Sequence, residues 1–192
     1  MDNHICKKKS GLILWFTGLS GSGKTTIAER ISVCLQESNI SVQIFDGDQV
    51  RTTRHRHLGF SERDIKTNNE LIVNLCVEER KNFDVVIVPI ISPYSQSRRE
   101  ARIKLQPRFY EIYFSANIDC VRQRDVKGLY AKSDSGTINN MIGVSSANPY
   151  QPPESPDLII DTENESIQQS VEKLYPFTMK GLTIDDTDLL TN

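Results

Sequence analysis

The sequence predicts an α/β fold of three layers, in which a central parallel sheet of about five strands carries helices on both faces. Two patterns lead to this prediction. Short apolar runs alternate along the chain with segments of helical spacing, as strands and crossover helices do in parallel sheets. A glycine-rich loop stands between the first apolar run and the first helical segment. With 192 residues, 38% of them hydrophobic, the chain is long enough for one good core and short for two.

The apolar runs are the predicted strands, and the segments between them are the predicted helices. In the second helix, Ile65, Leu71, Ile72 and Leu75 lie on an approximate common stripe. Two further stretches, 51–61 and 127–156, show neither the apolar runs of the strands nor the spacing of a helix, so we expect irregular structure in both. The predicted strands cover 12–16, 42–45, 85–91, 109–114 and 158–160, and the predicted helices cover 24–37, 62–81, 95–105, 118–126 and 167–174.

We expect one domain over residues 12–177, with an N-terminal extension at 1–11 and a loosely held tail at 178–192. Residues 127–156 would form a lid within the domain. The net charge of −2 argues against a nucleic-acid partner. Four scattered cysteines without a C-x-x-C pair favour reduced thiols in the cytoplasm. The apolar run behind the N-terminal lysines is too short for a signal or a span, so no membrane partner is expected.

Residues 18–25, Gly-Leu-Ser-Gly-Ser-Gly-Lys-Thr, form a candidate phosphate-binding loop. Glycines allow the sharp turn that aims backbone N–H groups inward, Lys24 can reach the β- and γ-phosphates, and the Thr25 hydroxyl can hold Mg²⁺. A plain glycine-serine turn would need neither this lysine and threonine after it nor a strand before it. The pattern therefore predicts an enzyme that uses a nucleoside triphosphate with Mg²⁺. The predicted ATP-binding residues here are Gly18, Leu19, Ser20, Gly21, Ser22, Gly23, Lys24, Thr25 and Thr26.

Two carboxylates, Asp46 and Asp48, follow the second predicted strand on either side of Gly47. The pair can supply a base and a neighbour for a metal ion, which is most of what phosphoryl transfer needs beside cationic side chains. The alternative is an Asp-Gly turn in which Asp48 caps a helix, and the sequence leaves both open. The third strand ends without an acidic residue, which argues against motor-type ATPases. A small-molecule kinase fits best.

Basic side chains cluster after several of these elements, and most are expected to be ordinary solvated charge. No N-K-x-D motif accompanies the D-x-x-G letters at 125–128, which argues against a GTPase. His55 and His57 form an H-x-H pair, but no third ligand stands nearby in the sequence, so a metal site there has little support.

Five motifs together resemble the adenylylsulfate kinase family of P-loop kinases. They are 18–26, 45–51, 58–61, 91–94 and 123–130, and the resemblance covers about residues 12–162. It implies a P-loop kinase fold and transfer of the γ-phosphate of ATP to the 3′-hydroxyl of adenylyl sulfate. The product would be 3′-phosphoadenylyl sulfate, in sulfate assimilation. Relatives are often dimers, so the resemblance leaves a homodimer open.

The resemblance also implies roles for single residues. Ser92 is the position at which the family has been proposed to carry a transient phosphate, although direct in-line transfer needs no covalent step. The implied roles are Asp48 as the base, Arg51 as a contact of the acceptor nucleotide, Phe60 as the ring that stacks on its base, Asn68, Ile91 and Ser92 as the frame of the acceptor pocket, Lys127 as a contact of the phosphates, and Arg124 as the neighbour of the ATP purine.

Two departures from the family pattern concern the acceptor. Ile65 follows Asp64 where the family has an arginine that helps hold the phosphosulfate. Losing such a charged hydrogen bond costs about 1.5–3 kcal/mol unless Arg54 or Lys66 replaces it. In the lid, Met141 stands where the family has a phenylalanine on the second face of the acceptor base. Methionine packs against a base without offering a flat ring.

Two other functions therefore stay open. The first is a paralogous kinase that acts on another activated nucleotide, such as cytidine diphosphoramidate. The second is a nucleotide-binding regulator that has lost turnover. The presence of Lys24, Thr25 and Asp48 argues against this second alternative.

Overall fold

Strand β1 (Leu12–Thr17) lies at the centre of a five-stranded sheet, and all six of its residues are buried. The computed structural model describes residues 10–184. The strands lie in the order β2-β3-β1-β4-β5, and every neighbouring pair is parallel. The remaining strands are β2 (Val42–Ile44), β3 (Val85–Pro89), β4 (Phe109–Ser115) and β5 (Leu158–Asp161).

Helices cover both faces of this sheet, and the two faces carry separate cores. Alternate residues of β1 point to opposite faces, because successive side chains of a strand do. Leu12, Leu14 and Phe16 join the core beneath α1 (Lys24–Glu37) and α7 (Ile167–Thr183), whereas Ile13 and Trp15 join the core beneath α3 (Glu62–Glu79) and α4 (Ser95–Leu105). The predicted three-layer fold is confirmed. The helices of the described part are α1 (Lys24–Glu37), α2 (Gly47–Thr53), α3 (Glu62–Glu79), α4 (Ser95–Leu105), α5 (Ile118–Arg124), α6 (Leu129–Asp134) and α7 (Ile167–Thr183).

Two capped helices carry the side chains that follow β2. The carboxylate of Asp46 accepts hydrogen bonds from the backbone N–H groups of Asp48 and Gln49, at 3.0 and 3.2 Å, and so begins α2. The hydroxyl of Ser61 accepts one from the N–H of Asp64 at 3.2 Å and begins α3. Such caps satisfy N–H groups that a helix leaves without partners. Asp46 is therefore the capping residue, and the alternative in which Asp48 caps the helix is wrong.

Short helices occur in both stretches that were predicted to be irregular. Helix α2 extends into 51–61 because of the Asp46 cap. Helix α6 lies inside 127–156, where the carboxylate of Asp125 accepts hydrogen bonds from the N–H groups of Tyr130 and Ala131, both at 3.0 Å. Asp125 also ends α5 two residues earlier than predicted, because its φ of 22° does not continue a helix.

Helix α7 is longer than the sequence indicated, and it crosses the predicted boundary between domain and tail. It ends at Thr183, well beyond the predicted end at 174. Thr178 is fully buried, and its hydroxyl donates to the carbonyl of Leu174 at 2.8 Å. Gly181 packs so closely on Leu12 that an added Cβ would lie 3.3 Å from that side chain. Helix α7 therefore continues past the predicted boundary at 177. The rest of the predicted tail, like most of the extension, lies outside the described residues.

Within residues 10–184, no helix is both long enough and apolar enough to pass through a membrane.

Candidate active site

A cavity of about 850 Å³ opens at the carboxyl ends of the central strands. Its walls come from the loop after β1, from residues 46–48 after β2, from residues 90–93 after β3, and from α3 and the segment 137–142. Ligands in open parallel sheets gather at this edge, where the chain crosses from one face to the other. The loop 18–25 forms one end of the cavity, called the phosphate end, and the other end is called the acceptor end because residues with predicted acceptor contacts line it.

The phosphate loop has the backbone that its glycines predict. Gly21 and Gly23 have φ values of 79° and 85°, in the left-handed region that favours glycine. Gly23 is also the residue that precedes α1, so the unpaired N–H groups of that helix face the loop. Backbone N–H groups gathered at a helix start make a site for anions.

The ammonium group of Lys24 folds back onto this loop. It donates to the carbonyls of Gly18 and Leu19, at 2.9 and 2.7 Å, and to the hydroxyl of Ser22 at 3.2 Å. Burial and, to a smaller extent, the positive charge of Lys127 lower the pKa of Lys24 to about 7, although the nearby carboxylates Asp48 and Asp46 oppose the change. An anion in the loop would offset this loss of hydration and favour the charged form.

Thr25 and Asp46 form an oxygen pair on the wall of the cavity. The Thr25 hydroxyl donates to Oδ2 of Asp46 at 2.8 Å, and both residues line the cavity beside Lys24. Hydroxyl and carboxylate oxygens are the ligands that Mg²⁺ prefers. The residues present therefore fit a Mg²⁺ ion bound together with nucleotide phosphates.

Asp48 stands in the first turn of α2 and forms an ion pair with Lys127 across the cavity. Its side chain is 71% exposed, so the carboxylate is open to a ligand once the lysine moves. Asp46, Asp48 and Lys127 are also the charges that act on Lys24. Two acidic and two basic groups thus converge on one end of the cavity.

Arg51 and Phe60 form the outer edge of the acceptor end. The guanidinium of Arg51 lies 4.7 Å from the centre of the Phe60 ring and donates to the carbonyl of Gly59 at 2.6 Å. Burial lowers the pKa of Arg51, although Asp48 and Asp64 oppose the change. The Phe60 side chain is 55% exposed, which leaves ring surface for a flat partner. Aromatic faces of this kind bind nucleobases by stacking.

The deep wall of the acceptor end is polar but uncharged. Nδ1 of His55 and Oδ1 of Asn68 lie 2.9 Å apart, and both residues are buried. Beside them, the amide of Asn69 donates to the hydroxyl of Ser92 at 3.1 Å. Since Oδ1 of Asn68 is taken by the histidine, its NH₂ group remains to donate to a ligand. His55 thus holds Asn68 in place by a hydrogen bond. Within residues 10–184, no cluster of three or more potential metal ligands occurs, either at His55 or elsewhere.

Ile65 and Met141 give this end an apolar floor. Both residues line the cavity and are buried, at 2% and 7% exposure. Neither Arg54 nor Lys66, the cations proposed to replace the missing arginine, lines the cavity. Lys66 pairs with Glu62 at 2.6 Å and lies over the ring of Tyr94 instead. The positive charges on the described cavity wall are therefore Lys24, Arg51 and Lys127.

The predicted lid lies against the phosphate loop. The Tyr130 hydroxyl donates to the carbonyl of Ser20 at 2.8 Å. Gly143 lies so close to Leu19 that an added Cβ would approach its Cδ2 to 2.4 Å. The segment thus covers the loop at two points, and a side chain at position 143 would push it away.

Most of the predicted site residues meet in this cavity. Leu19 lies under the lid, and Gly18 and Ser22 support Lys24 from behind the loop. Arg124 stands outside the described cavity wall, where it donates to the carbonyl of Thr162 at the end of β5. The predicted residues on the wall are Ser20, Gly21, Gly23, Lys24, Thr25, Thr26, Asp48, Arg51, Phe60, Asn68, Ile91, Ser92, Lys127 and Met141.

Sequence reasoning missed several residues of the acceptor end. Asn69 and Asn148 belong to no motif that carries chemistry, and His55 was considered only as half of an H-x-H pair, not as a partner of Asn68. Each of the three contacts a residue distant in the sequence. Asn69 follows the predicted Asn68, but a helix turns successive residues by about 100°, so adjacency gave no reason to include it. Only the packing of α3 against the turn after β3 reveals its contact with Ser92.

Comparison with known proteins agrees with this geometry. The model of the adenylylsulphate kinase family matches residues 10–161. The chain belongs to the adenylylsulphate kinase family. It is 38% identical over 174 residues to the adenylyl-sulfate kinase of Halothermothrix orenii, which covers 89% of this chain and 91% of that relative. It is 42% identical over 166 residues to the adenylyl-sulfate kinase of Chloroflexus aurantiacus, covering 86% and 88%.

A solved structure of the same family has a closely similar fold. The APS kinase CysC of Mycobacterium tuberculosis, solved in complex with AMPPNP and APS, superposes with a TM-score of 0.82 at 32% identity. The match covers 96% of this chain and the whole of that one. The similarity in fold therefore extends over nearly all of the chain.

Proposed function

We propose that this protein transfers the γ-phosphoryl group of ATP to the 3′-hydroxyl of adenylyl sulfate, giving 3′-phosphoadenylyl sulfate and ADP. The observation that supports the proposal is that Asp48 lines the same cavity as the phosphate loop and Phe60, and that its charge acts on both Lys24 and Arg51. A carboxylate there lies between a bound triphosphate and a bound nucleotide acceptor. Family membership supports the choice of acceptor.

The phosphate end would hold ATP through the loop N–H groups and Lys24. Bound triphosphate would draw the Lys24 ammonium from the carbonyls of Gly18 and Leu19, because a phosphate oxygen is the stronger acceptor. Thr25 and Asp46 would hold Mg²⁺, which when bound would neutralise charge on the phosphate oxygens. Arg124 would stand on the purine side, next to Thr162.

Asp48 would take the proton of the acceptor hydroxyl as that oxygen attacks the γ-phosphorus. The bond from phosphorus to the bridging oxygen then breaks, and ADP leaves with the electron pair. In the ligand-free protein Lys127 pairs with Asp48. Binding of both nucleotides would draw Lys127 to the γ-phosphate, which frees the carboxylate for the acceptor hydroxyl and places the lysine where negative charge develops.

A coupled assay of ADP release tests the proposal with purified protein, ATP, Mg²⁺ and adenylyl sulfate. We expect turnover that depends on both nucleotides, and mass spectrometry should identify the product as adenylyl sulfate plus one phosphate. A product phosphorylated elsewhere, or ADP release that does not depend on adenylyl sulfate, would contradict the proposal.

A second candidate acceptor is another activated nucleotide, such as cytidine diphosphoramidate. Ile65 favours it, because the floor of the acceptor end offers an alkyl group where an anionic phosphosulfate would use a cation. Competition between the two compounds in one assay decides between them. Consumption of the cytidine compound alone would replace adenylyl sulfate as the substrate. A regulator without turnover would consume neither.

The compartment and the assembly remain predictions. Cys34, Cys76 and Cys120 are free thiols, and burial raises the pKa of Cys76 to about 12, which makes it unreactive. Free thiols are the normal state in the cytoplasm, where we place the protein. Light scattering of the purified chain would test whether it forms the homodimer that the resemblance leaves open.

A further inference from the structure

Asn148 lies at the junction of three segments that surround the acceptor end. Its side chain is buried, with 2% exposure. Nδ2 donates to the carbonyls of Phe60 and Asn140, both at 3.0 Å, and Oδ1 accepts from the hydroxyl of Tyr94 at 2.9 Å. The lid, the Phe60 turn and the start of α4 are thus joined by one amide.

The chemistry of the partners fixes the orientation of this amide. Two carbonyl oxygens need donors and the tyrosine hydroxyl supplies one, so only the observed orientation satisfies all three. Burial raises the pKa of Tyr94, which keeps its hydroxyl protonated as that donor. The backbone of Asn148 is held as well, since its carbonyl accepts from Gly143 at 2.8 Å and its N–H donates to Ser145 at 3.0 Å.

Both carbonyl groups that accept from Asn148 belong to segments at the acceptor end of the cavity. Phe60 is the exposed ring at the edge of the cavity, and Asn140 belongs to the lid segment that lines the same cavity, next to Met141. Phe60 and Asn148 are 88 positions apart in the sequence, and Asn148 bridges Phe60 to the lid. A nucleobase stacked on the exposed Phe60 ring would therefore have the lid with Met141 beside it, and the gap between these two side chains would depend on how the Phe60 turn and the lid are held together.

We propose that Asn148 is a positioning residue that sets this gap and thereby the affinity for the nucleotide acceptor. The inference rests on the proposed function for the identity of the site. Asn148 does not touch the acceptor or the phosphates; it acts by holding the Phe60 turn against the lid. The triphosphate is bound by a loop that Asn148 does not contact.

Steady-state kinetics with Asn148→Asp test the inference, using whichever acceptor the wild-type protein phosphorylates. The carboxylate would face two carbonyl oxygens, so both bonds become repulsive. We expect the KM for the acceptor to rise roughly tenfold or more while the KM for ATP stays within about twofold. Tyr94→Phe removes one bond and keeps the other two, so its acceptor KM should rise only about threefold. Ser146→Ala, an exposed lid substitution, is the matched control.

Hydrogen exchange followed by mass spectrometry supplies a readout that does not depend on turnover. In Asn148→Asp, amides of 58–62 and 139–143 should exchange faster, while those of 18–26 should not. A general loss of folding would raise exchange everywhere and move both KM values. If Asn148→Asp fails to fold, Tyr94→Phe and Asn148→Ser carry the same comparison.

The outcomes separate this inference from the proposed function. Unchanged acceptor KM and unchanged exchange in a folded Asn148 variant would overturn the positioning role, even if the wild-type protein is an adenylyl sulfate kinase. If the wild-type protein phosphorylates no acceptor, the proposed function fails, and the exchange experiment still decides whether Asn148 joins these segments.

Discussion

The two ends of the cavity are built in different ways. At the phosphate end, Lys24 bonds to partners at most six positions away, on a loop fixed between β1 and α1. At the acceptor end, Asn148 holds Phe60 across 88 positions, and Asn69 holds Ser92 across 23. Local sequence therefore specifies the triphosphate site, whereas the acceptor site depends on how distant segments pack together.

This difference has a consequence for specificity. Because its contacts are local, the phosphate end should bind a triphosphate in the same way in any kinase that has this loop. The acceptor end can change its substrate through single replacements such as Ile65, because its floor is made of side chains on separate elements. Variants at the two ends should therefore fail in different ways, and the following changes test that contrast.

Lys24→Ala should have the largest effect. It removes a buried cation that no other described residue of the loop can replace, so we expect kcat/KM to fall by roughly 10³–10⁵-fold. Binding of an ATP analogue, measured by calorimetry, should weaken as well. Lys132→Ala, on the exposed face of α6, is the control and should behave like wild type. Retained turnover in Lys24→Ala would place ATP elsewhere.

Asp48→Asn should reduce kcat by roughly 10²–10⁴-fold, because an amide cannot take the acceptor proton. Affinity for the ATP analogue should change little, since Asp48 pairs with Lys127 and does not bond to the loop. Single-turnover kinetics separate the chemical step from binding. Near-normal turnover would reduce Asp48 to a partner of Lys127.

Ile65→Arg should alter acceptor use by roughly 10–100-fold, the range of one charged hydrogen bond. We expect a lower KM for adenylyl sulfate and an unchanged KM for ATP. Ile65→Met, which keeps the floor apolar, controls for the change in packing. If the arginine variant gains nothing with adenylyl sulfate while the methionine variant keeps activity, the acceptor does not present its anionic group to this floor.

Ser92→Ala should reduce turnover by less than roughly tenfold, the range of one neutral hydrogen bond. The Ser92 hydroxyl is buried and accepts from Asn69, which gives it a structural task. The φ of Ser92 is 42°, which is uncommon for a residue other than glycine. Alanine carries a Cβ just as serine does, so the substitution should leave this backbone conformation unchanged. Intact-mass spectra after incubation with ATP should show no added phosphate; a stoichiometric phosphoserine at this position would contradict direct transfer.

Proton uptake on ATP-analogue binding should be the smallest signal, below one proton per site. Lys24 has a pKa of about 7 without ligand, so at pH 8 it is mostly neutral. Bound phosphates raise that pKa and the lysine gains a proton; at pH 6 it is already charged and the uptake falls. Calorimetry in buffers of different ionisation enthalpy measures this. Lys24→Arg, always protonated, should show no uptake.

Much of the fold could be predicted, because buried parallel strands leave continuous apolar runs and β1 is one of them. The end of α7 could not be predicted, because a threonine and a glycine do not by themselves indicate a buried helix. Only in the fold does the Thr178 hydroxyl bond to the carbonyl of Leu174, and only there does Gly181 pack on Leu12. At the site, the phosphate loop and Asp48 could be predicted, because each directly follows a predicted strand whose carboxyl end faces the ligand edge of the sheet. Asn148 was not, because its three partners converge only in the folded chain.

The ion pair between Lys127 and Asp48 bears on a hazard that every kinase faces, the loss of ATP to water. A free carboxylate beside the γ-phosphate could deprotonate a water molecule as well as an alcohol. While Lys127 holds Asp48, that carboxylate is occupied and cannot activate water at the open cavity. We expect slow ATP hydrolysis in the absence of acceptor, and faster hydrolysis when Lys127 is replaced by methionine.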